Sequence, residues 1–195
     1  KLWLPLKNSF PDLERRDSLI VGGSFQDKVF VSIISLLTGT YKQAWLGIPV
    51  NNKTIHLRIC EVHQIKDEKI IESHILIDVV DFIRQAGFWP FNKSNGAEGL
   101  WTAPITGDGT SFENLDKKLS ISSLEQALTM QRSLNIKPES DANADHDYVR
   151  NKLMNHPQKE FWHEKMMWYG PSGIGTARGL EGFVNHHQLP FRMTF

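Results

Sequence analysis

Two alternating runs of residues, joined by a short polar turn, limit most strongly what this chain can fold into. The first run extends over residues 54–65 and the second over 70–80, with Lys66-Asp67-Glu68-Lys69 between them. Apolar and polar residues alternate in both runs, which is typical of β-strands. Because so few residues separate the runs, they can pair only as an antiparallel hairpin. The sequence therefore predicts an antiparallel sheet.

The length of the turn predicts the register of this hairpin. A loop of two or four residues places Glu61 opposite His74, and His63 opposite Glu72. Because alternate side chains share a face of a strand, one face then combines an apolar floor with two histidines and three carboxylates. The predicted members of this face are Ile55, Leu57, Ile59, Glu61, His63, Glu72, His74, Leu76 and Asp78.

An apolar floor matters chemically because desolvation raises the pKa of a carboxyl group toward the range useful for acid-base catalysis. Asp78 is the clearest candidate, since it lies among apolar neighbours in residues 76–80. Its carboxylate could transfer protons with a raised pKa, or it could cap the helix that follows. His63 and Glu72 could likewise belong to a site or form a solvated cross-strand pair.

The opposite face of the hairpin is predicted to be largely apolar. An isolated sheet cannot leave such a face in water, so we expect it to be covered, most simply by a two-fold partner in a homodimer or an intertwined dimer. Its predicted members are Arg58, Cys60, Val62, Ile71, Ser73, Ile75 and Ile77.

The composition divides the chain into three zones. Residues 1–91 contain the strands and a short helix over 81–86, which Gly87 and Pro90 end. Residues 92–145 are rich in Gly, Ser, Asn and Asp, and form a connector with one helix over 124–134, for which Ser122 and Ser123 are candidate N-caps.

The last zone, residues 146–195, is predicted to contain helices and one aromatic strand. A helix passes through Tyr148 and Met154, the strand covers 162–169, and a glycine loop over 170–179 precedes a helix from Leu180 to about Leu189. Proline at position 190 is expected to interrupt that helix.

Charge and composition exclude several classes of protein. The 22 basic and 22 acidic side chains give a net charge of zero, so no electrostatic footprint for nucleic acid or an anionic membrane is visible. A single cysteine, Cys60, cannot form an internal disulfide and is expected in the core. No apolar run is long enough to span a bilayer. We expect a cytoplasmic protein, and the apolar start without Met predicts that upstream sequence is missing.

Three other patterns have alternative interpretations. His163, His186 and His187 could bind a metal, but they lack a metal-binding spacing, and no bound metal is expected. The loop over 170–179 could be a dinucleotide loop, but no βαβ unit follows, and its glycines are expected to turn the chain tightly. The aromatic residues could line an apolar ligand pocket or form core. They are Trp45, Trp89, Trp162, Trp168, Tyr169 and Phe183.

The two ends of the chain resemble each other, since residues 4–10 and 189–195 share Leu, Pro and Phe at equivalent positions. This repeat indicates two copies of one unit or a coincidence over a short window. A second resemblance covers residues 5–90, which are similar to SnoaL-like polyketide cyclases, the ester-cyclase branch of the nuclear-transport-factor-like superfamily. The motifs that carry it are Phe10-Pro11-Asp12-Leu13, Gly39-Thr40, Trp45-Leu46-Gly47-Ile48-Pro49, the turn over 67–72, Leu76-Ile77-Asp78 and Arg84-Gln85-Ala86-Gly87.

The order of the zones departs from the family, because residues 161–195 resemble the beginning of the same domain. The chain would then span the tail of one repeat and the head of a second, or a permuted unit. Its last segment would pack on its own sheet or on that of a neighbouring chain.

The resemblance implies an α+β cone in which a curved antiparallel sheet wraps around a pocket closed by helices, as in a cystatin-like roll. It also implies intramolecular aldol ring closure without cofactor or metal, with Asp78 and His63 as catalytic residues. The ligand is expected to be small, apolar and oxygen-bearing. A non-catalytic binding module of the same fold is the alternative. The expected substrate-binding residues are Glu61, His74, Leu57, Leu76, Trp45, Trp168, Tyr169, Phe183 and His187.

Overall fold

The computed structural model describes residues 2–99, 107–112, 116–134 and 143–194. It contains two compact units, which are described separately below. Unit 1 comprises Lys1–Asn92 with Thr102–Ser111, and unit 2 comprises Lys93–Trp101 with Phe112–Phe195.

Unit 1 is built on one antiparallel sheet of four strands in the order β1-β2-β3-β4. Two tight turns connect its outer hairpins, and in both of them the two central residues have positive φ, as at Asp67 (49°) and Glu68 (60°). This is the backbone of the two-residue turn that matches the twist of a hairpin. The elements in chain order are α1 (Trp3–Ser9), β1 (Glu14–Phe25), β2 (Lys28–Thr40), β3 (Thr54–Lys66), β4 (Lys69–Ile77), α2 (Val79–Ala86) and a 3₁₀ turn (Asp108–Thr110).

The sheet and its helices confirm the predicted α+β class. The predicted β3–β4 hairpin is present, with its two-residue loop at Asp67 and Glu68. The helix predicted over 81–86 begins two residues earlier, because Asp78 caps it by accepting a hydrogen bond from the Asp81 N–H. It ends as predicted at Gly87, whose φ of 106° is the left-handed conformation that favours glycine.

The predicted register of the hairpin is wrong beyond its first residues. The ladder begins as expected, with Ile65 opposite Ile70, but then shifts, so that Gln64 pairs with Glu72. Ile71 is therefore an extra residue in β4, a β-bulge. Because a one-residue shift moves every following side chain to the other face, the predicted positions of Glu72, His74 and Leu76 are also wrong. His63 lies opposite Ser73, and Glu61 opposite Ile75.

One face of the sheet, which we call the cavity face, carries the odd-numbered residues of β3. The core occupies one end of this face, where α1 and α2 pack against Ile55, Leu57 and Ile59, which are at most 1% exposed. An aromatic cluster fills this core. Its members are Phe10, Tyr41, Trp45 and Phe82, with ring centroids 4.9 to 5.9 Å apart in the contacting pairs.

The buried Tyr41 hydroxyl has partners that justify its place in an apolar core. It donates a hydrogen bond to the Ile48 carbonyl (2.6 Å) and accepts one from the Trp45 N–H (2.9 Å). A buried hydroxyl without partners would be destabilising. The Tyr41 contacts therefore fix the loop between β2 and β3 on the core.

The dimer face predicted from the sequence also requires correction. Ser73, Ile75 and Ile77 lie opposite His63, Glu61 and Ile59, so the bulge transfers them to the cavity face. Arg58 is 4% exposed because Asp78 and Asp81 surround its guanidinium within unit 1. The two-fold partner itself stays a prediction.

Unit 2 consists of one long helix, several short helices and a hairpin with two residues in each strand. Its elements are α3 (Lys117–Leu134), α4 (His146–Met154), a 3₁₀ helix (Pro157–Phe161), β5 (Met167–Trp168), β6 (Ala177–Arg178), α5 (Gly179–Phe183), a π segment (Val184–Gln188) and α6 (Leu189–Thr194). A small core forms between α4 and the C-terminal helices around Val149, Leu153, Val184 and Leu189.

Three expectations for unit 2 are wrong in detail. Helix α3 begins at Lys117 instead of residue 124, because the Asp116 carboxylate accepts the N–H groups of Lys118 and Leu119. The aromatic strand is two residues long. Pro190 lies in the first turn of α6, where a missing N–H is tolerated, and the helix continues from the π segment through Pro190 without the predicted interruption.

No described helix has both the length and the apolar character needed to cross a membrane.

Candidate functional site

Unit 1 contains a cavity of about 530 Å³ on the cavity face, beside the core. Strands β1 to β4 form most of its wall, and Trp3 contributes from α1. Its apolar lining consists of Trp3, Val31, Ile33, Ile65, Ile70 and Ile75. Its polar lining consists of Arg15, Asp17, Glu61, His63 and Ser73. A concave apolar site with a few converging polar groups is the usual form of a small-molecule site.

Arg15 connects the two carboxylates of the cavity. Its Nη2 atom lies 2.5 Å from Glu61 Oε2, and its Nε atom donates a hydrogen bond to Asp17 Oδ1 at 2.7 Å. The Glu61 side chain is only 2% exposed. A buried carboxylate requires such a partner, because desolvation without one is very costly. One guanidinium and two carboxylates leave the cavity with one negative charge.

The ion pairs shift the pKa values of the two exposed members of this group. Burial alone would raise the pKa of Asp17, but hydrogen bonds from Ser35 and Arg15 and the Arg15 charge outweigh it and lower that pKa. Burial would lower the pKa of Arg15, but hydrogen bonds to Glu61 and Asp17 raise it. Both groups therefore stay charged through the physiological pH range.

His63 lies beside Glu61 with each ring nitrogen facing a different neighbour. Its Nδ1 atom is 2.9 Å from Ser73 Oγ, and its Nε2 atom is 3.8 Å from Glu61 Oε1. The first distance is a hydrogen bond, whereas the second leaves room for an atom of a ligand to interact with both groups. Glu61 and His63 therefore present a carboxylate oxygen and an imidazole nitrogen side by side in an apolar cavity.

Asp78 is not among the residues that line this cavity. One carboxylate oxygen caps α2 through the Asp81 N–H at 2.9 Å, and the other accepts a hydrogen bond from Arg58. The Asp78 N–H also donates to the Arg58 carbonyl, so the backbone of Asp78 pairs with Arg58 and not with the predicted neighbour Leu57. The capping interpretation of Asp78 is thus confirmed, and the carboxylate has a structural role at the strand-to-helix junction.

The other predicted site residues of unit 1 lie in two places outside the cavity lining. Trp45 and Leu57 belong to the core, where Trp45 packs on Phe82. His74 and Leu76 are exposed on the face of the sheet opposite the cavity face, which we call the second face. Leu76 has 75% of its surface accessible. His74 Nε2 pairs with Glu72 Oε1 at 3.1 Å. Of the residues that the sequence predicted as site residues, only Glu61 and His63 line the cavity.

Cys60 is half-buried on the second face, in the middle of β3. Burial raises the pKa of its thiol, and the nearby charge of Glu61 raises it further. Because the thiolate is the nucleophilic form of cysteine, this thiol is poorly suited to covalent chemistry.

The predicted site residues of the last zone form an aromatic cluster within unit 2. His187 stacks on Trp168 with ring centroids 4.1 Å apart, and Phe183 packs against both rings at 5.3 Å. Tyr169 follows Trp168 directly along the chain. Phe183 is 7% exposed, so this part of the cluster serves as core.

Acidification should destabilise unit 2 through His187. Burial lowers the pKa of this imidazole from its ordinary value of 6.5, so the unfolded state takes up a proton first as the pH falls. The stabilising effect is complete above pH 6.5 and is lost as the pH falls through the folded-state pKa. We expect urea midpoints, followed by tryptophan fluorescence, to fall between about pH 8 and pH 5.5 less steeply in His187→Phe. The exposed neighbouring residue His186 supplies the control, as His186→Phe. If His186→Phe reduced the pH dependence as much as His187→Phe, the proposed role of His187 in this pH dependence would be contradicted.

The glycine loop of unit 2 binds a carboxylate of its own chain. The Ser172 hydroxyl donates to Glu98 Oε2 at 2.5 Å, and the Gly173 N–H donates to Glu98 Oε1 at 2.8 Å. The strands on either side of the loop pair antiparallel, so the loop is not the turn of a βαβ unit. Within the described ranges, no group of three or more His, Cys, Asp or Glu side chains is arranged to hold a metal ion.

The sequence interpretation missed three polar residues of the cavity, Arg15, Asp17 and Ser73. Arg15 and Asp17 alternate along β1 and so share a face, a signal that was available in the sequence. Ser73 was assigned to the wrong face, because the bulge at Ile71 has no clear sequence signal. In β1 a similar register shift follows Asp17, which pairs with Ser35 on the cavity face.

The fold and the cavity define a class: an α+β domain with an antiparallel sheet around an apolar site that contains a carboxylate–imidazole pair. Residues 5–86 match the family model of SnoaL-like polyketide cyclase. The predicted family resemblance is thus confirmed for this segment of unit 1. No curated protein matches the chain.

Two solved structures share a weaker likeness with the chain. Wild-type IdmH from Streptomyces antibioticus, described as "a putative polyketide cyclase", is 21% identical, with a TM-score of 0.37 over 44% of this chain and 59% of that one. AclR from Streptomyces galilaeus, described as "a putative hydroxylase", is 15% identical, with a TM-score of 0.38 over 67% of this chain and 66% of that one. The chain therefore spans about 59% of the length of IdmH.

Proposed function

We propose that the cavity of unit 1 binds a small, apolar carbonyl compound and moves protons on it without a cofactor, as in the ring-closing reaction of a polyketide cyclase. The observation that carries the proposal is the adjacent placement of Glu61 and His63 in this cavity, with Glu61 Oε1 and His63 Nε2 3.8 Å apart. The family match of residues 5–86 supports the same reaction class.

The two side chains would divide the proton transfer between them. Glu61 Oε1 takes a proton from the carbon next to a carbonyl, and the C–H electron pair moves onto the carbonyl oxygen. The His63 Nε2–H donates a hydrogen bond to that oxygen and stabilises the enolate. The enolate carbon attacks a second carbonyl of the same molecule and forms a C–C bond. The resulting alkoxide then recovers the proton from Glu61.

The charge of the cavity limits which ligands it can hold. Arg15 already faces both Asp17 and Glu61, so an incoming carboxylate would meet an excess of negative charge. In an apolar cavity such repulsion is stronger than in water. An uncharged ligand with carbonyl oxygens fits the polar lining, and its apolar body fits the isoleucines of the wall.

A non-catalytic binding module is the second candidate. The Arg15–Glu61 ion pair at 2.5 Å favours it, because the pair occupies one oxygen of the carboxylate that would have to act as a base. The two functions differ in a single observable, which is the exchange of a proton on a bound ligand.

The exchange of α-protons for deuterium in 2-tetralone, followed by ¹H NMR, tests the proposal. We expect the protein to accelerate the exchange with saturation, and His63→Phe to slow it by about 10²-fold, the lower end of the range for general acid-base catalysis. His74→Phe is the matched control, because His74 lies on the same hairpin but is 71% exposed on the second face. Saturable binding of 2-tetralone without any accelerated exchange would instead support the binding module.

A further inference from the structure

The β-bulge at Ile71 decides which side chain contacts His63. In the register of the first residues of the hairpin, His63 would face Glu72. The extra residue moves Glu72 to the second face and brings Ser73 opposite His63, with Ser73 Oγ 2.9 Å from His63 Nδ1. The bulge therefore replaces a carboxylate beside the imidazole by a hydroxyl. β-Bulges commonly redirect side chains next to active sites in this way.

The replacement of a carboxylate by a hydroxyl beside His63 matters because the two groups favour different tautomers of a neutral imidazole. A neutral imidazole carries its proton on only one of the two nitrogens, and the partner of each nitrogen determines which one. A carboxylate only accepts hydrogen bonds, and it would hold the proton on Nδ1. A hydroxyl can donate to Nδ1, which leaves the proton on Nε2.

The surroundings of His63 favour the tautomer that carries its proton on Nε2. Glu61 Oε1 lies 3.8 Å from Nε2, and the Glu61 side chain is 2% exposed, so its negative charge attracts a proton on that nitrogen. Ser73 Oγ has no other hydrogen-bond partner among the described residues, so its proton is available to Nδ1.

We propose that Ser73 is a positioning residue that holds His63 as the Nε2–H tautomer and so presents a hydrogen-bond donor to the cavity. The tautomer can be tested by itself, and its kinetic consequence rests on the proposed function. In the opposite tautomer, His63 Nε2 and Glu61 would both be acceptors, and neither of these two groups could donate to a carbonyl oxygen.

The experiment measures the tautomer directly in the full chain labelled with ¹⁵N-histidine. Two-bond ¹H–¹⁵N correlations distinguish the two tautomers, and spectra at about pH 9 lie well above the ordinary imidazole pKa of about 6.5. The signal absent from His63→Phe identifies His63 among the eight histidines. We expect the Nε2–H pattern in the native protein and in Ser73→Thr, a mixture in Ser73→Ala, and the Nδ1–H pattern in Ser73→Asp. Ser32→Ala, on the second face opposite Val62, should leave the spectrum unchanged.

The kinetic arm separates this proposal from the proposed function. Ser73→Asp should slow the saturated rate of ketone proton exchange about tenfold or more with little change in KM, because a wrong tautomer impairs chemistry more than binding. An Nδ1–H pattern in the native protein, or a tautomer that Ser73→Ala leaves unchanged, would overturn the proposal whatever the activity. The expected spectra without any accelerated exchange would support the role of Ser73 and contradict the catalytic function.

Discussion

Replacing Glu61 by Gln should slow the exchange of 2-tetralone α-protons by a factor of about 10² to 10⁴, the range of general acid-base catalysis. Glutamine has nearly the same shape as glutamate and can still contact Arg15, but it cannot take up a proton. Because Asp17 remains paired with Arg15 at 2.7 Å, the guanidinium keeps a charged partner in the variant. The loss should therefore appear in kcat, while KM for the uncharged ketone changes little.

The hairpin supplies a matched control for this experiment. Glu72 lies on the neighbouring strand, and its side chain is 57% exposed and points to the second face, where it pairs with His74. Glu72→Gln removes the same charge from the same hairpin and should leave the exchange rate unchanged. Equal losses in the two variants would show that the net charge of the hairpin, and not a base in the cavity, determines the rate.

Much of unit 1 could be predicted from local sequence patterns. The alternation over 54–65 and 70–80 indicated both strands of the hairpin, and the polar turn indicated its two-residue loop at Asp67 and Glu68. Gly87 marked the end of α2, because few other residues adopt its φ of 106° without strain. These features depend on residues close together in the chain, so their signals are local.

The composition of the site depended on a single residue that no local pattern revealed. The bulge at Ile71 reverses the faces of Ser73 and His74, so a correct strand prediction still assigned these two side chains to the wrong faces. Ile71 itself is an ordinary strand residue, and glycine does not mark the bulge. On β3, which the bulge does not shift, the sequence placed Glu61 and His63 correctly on one face.

The interpretation of Asp78 shows a different limit. Its apolar neighbours in sequence predicted desolvation, and the carboxylate is indeed only 9% exposed. The sequence could not show that Arg58, twenty residues earlier on the neighbouring strand, would bring a guanidinium to it. Burial and pairing act in opposite directions on a carboxylate, so its chemistry depends on a tertiary contact.

Removal of the Asp78 carboxylate should strongly destabilise unit 1. Asp78→Ala removes the carboxylate that lies nearest to the buried Arg58 guanidinium, leaves the Asp81 carboxylate 3.8 Å away, and removes the cap of α2. Breaking a buried pair by removing one partner costs about 3–5 kcal/mol, and loss of an N-cap costs about 1 kcal/mol. Since Asp81 compensates part of the charge, we expect the free energy of unfolding to fall by about 3 kcal/mol, measured by urea denaturation.

Two further variants separate the contribution of the helix cap from that of the buried ion pair. One of them also tests the catalytic role that the sequence predicted for Asp78. Asp78→Asn keeps an oxygen that can cap α2, so it should retain about 1 kcal/mol relative to Asp78→Ala. Glu14→Ala breaks the exposed Arg16–Glu14 pair at 2.8 Å and should change stability by less than about 1 kcal/mol.

Because Asp78 does not line the cavity, Asp78→Asn should still exchange 2-tetralone protons under conditions where it is folded. If folded Asp78→Asn had no exchange activity, Asp78 and not Glu61 would be the residue that transfers the proton. The ion pair between Asp78 and Arg58 would then take part in the reaction.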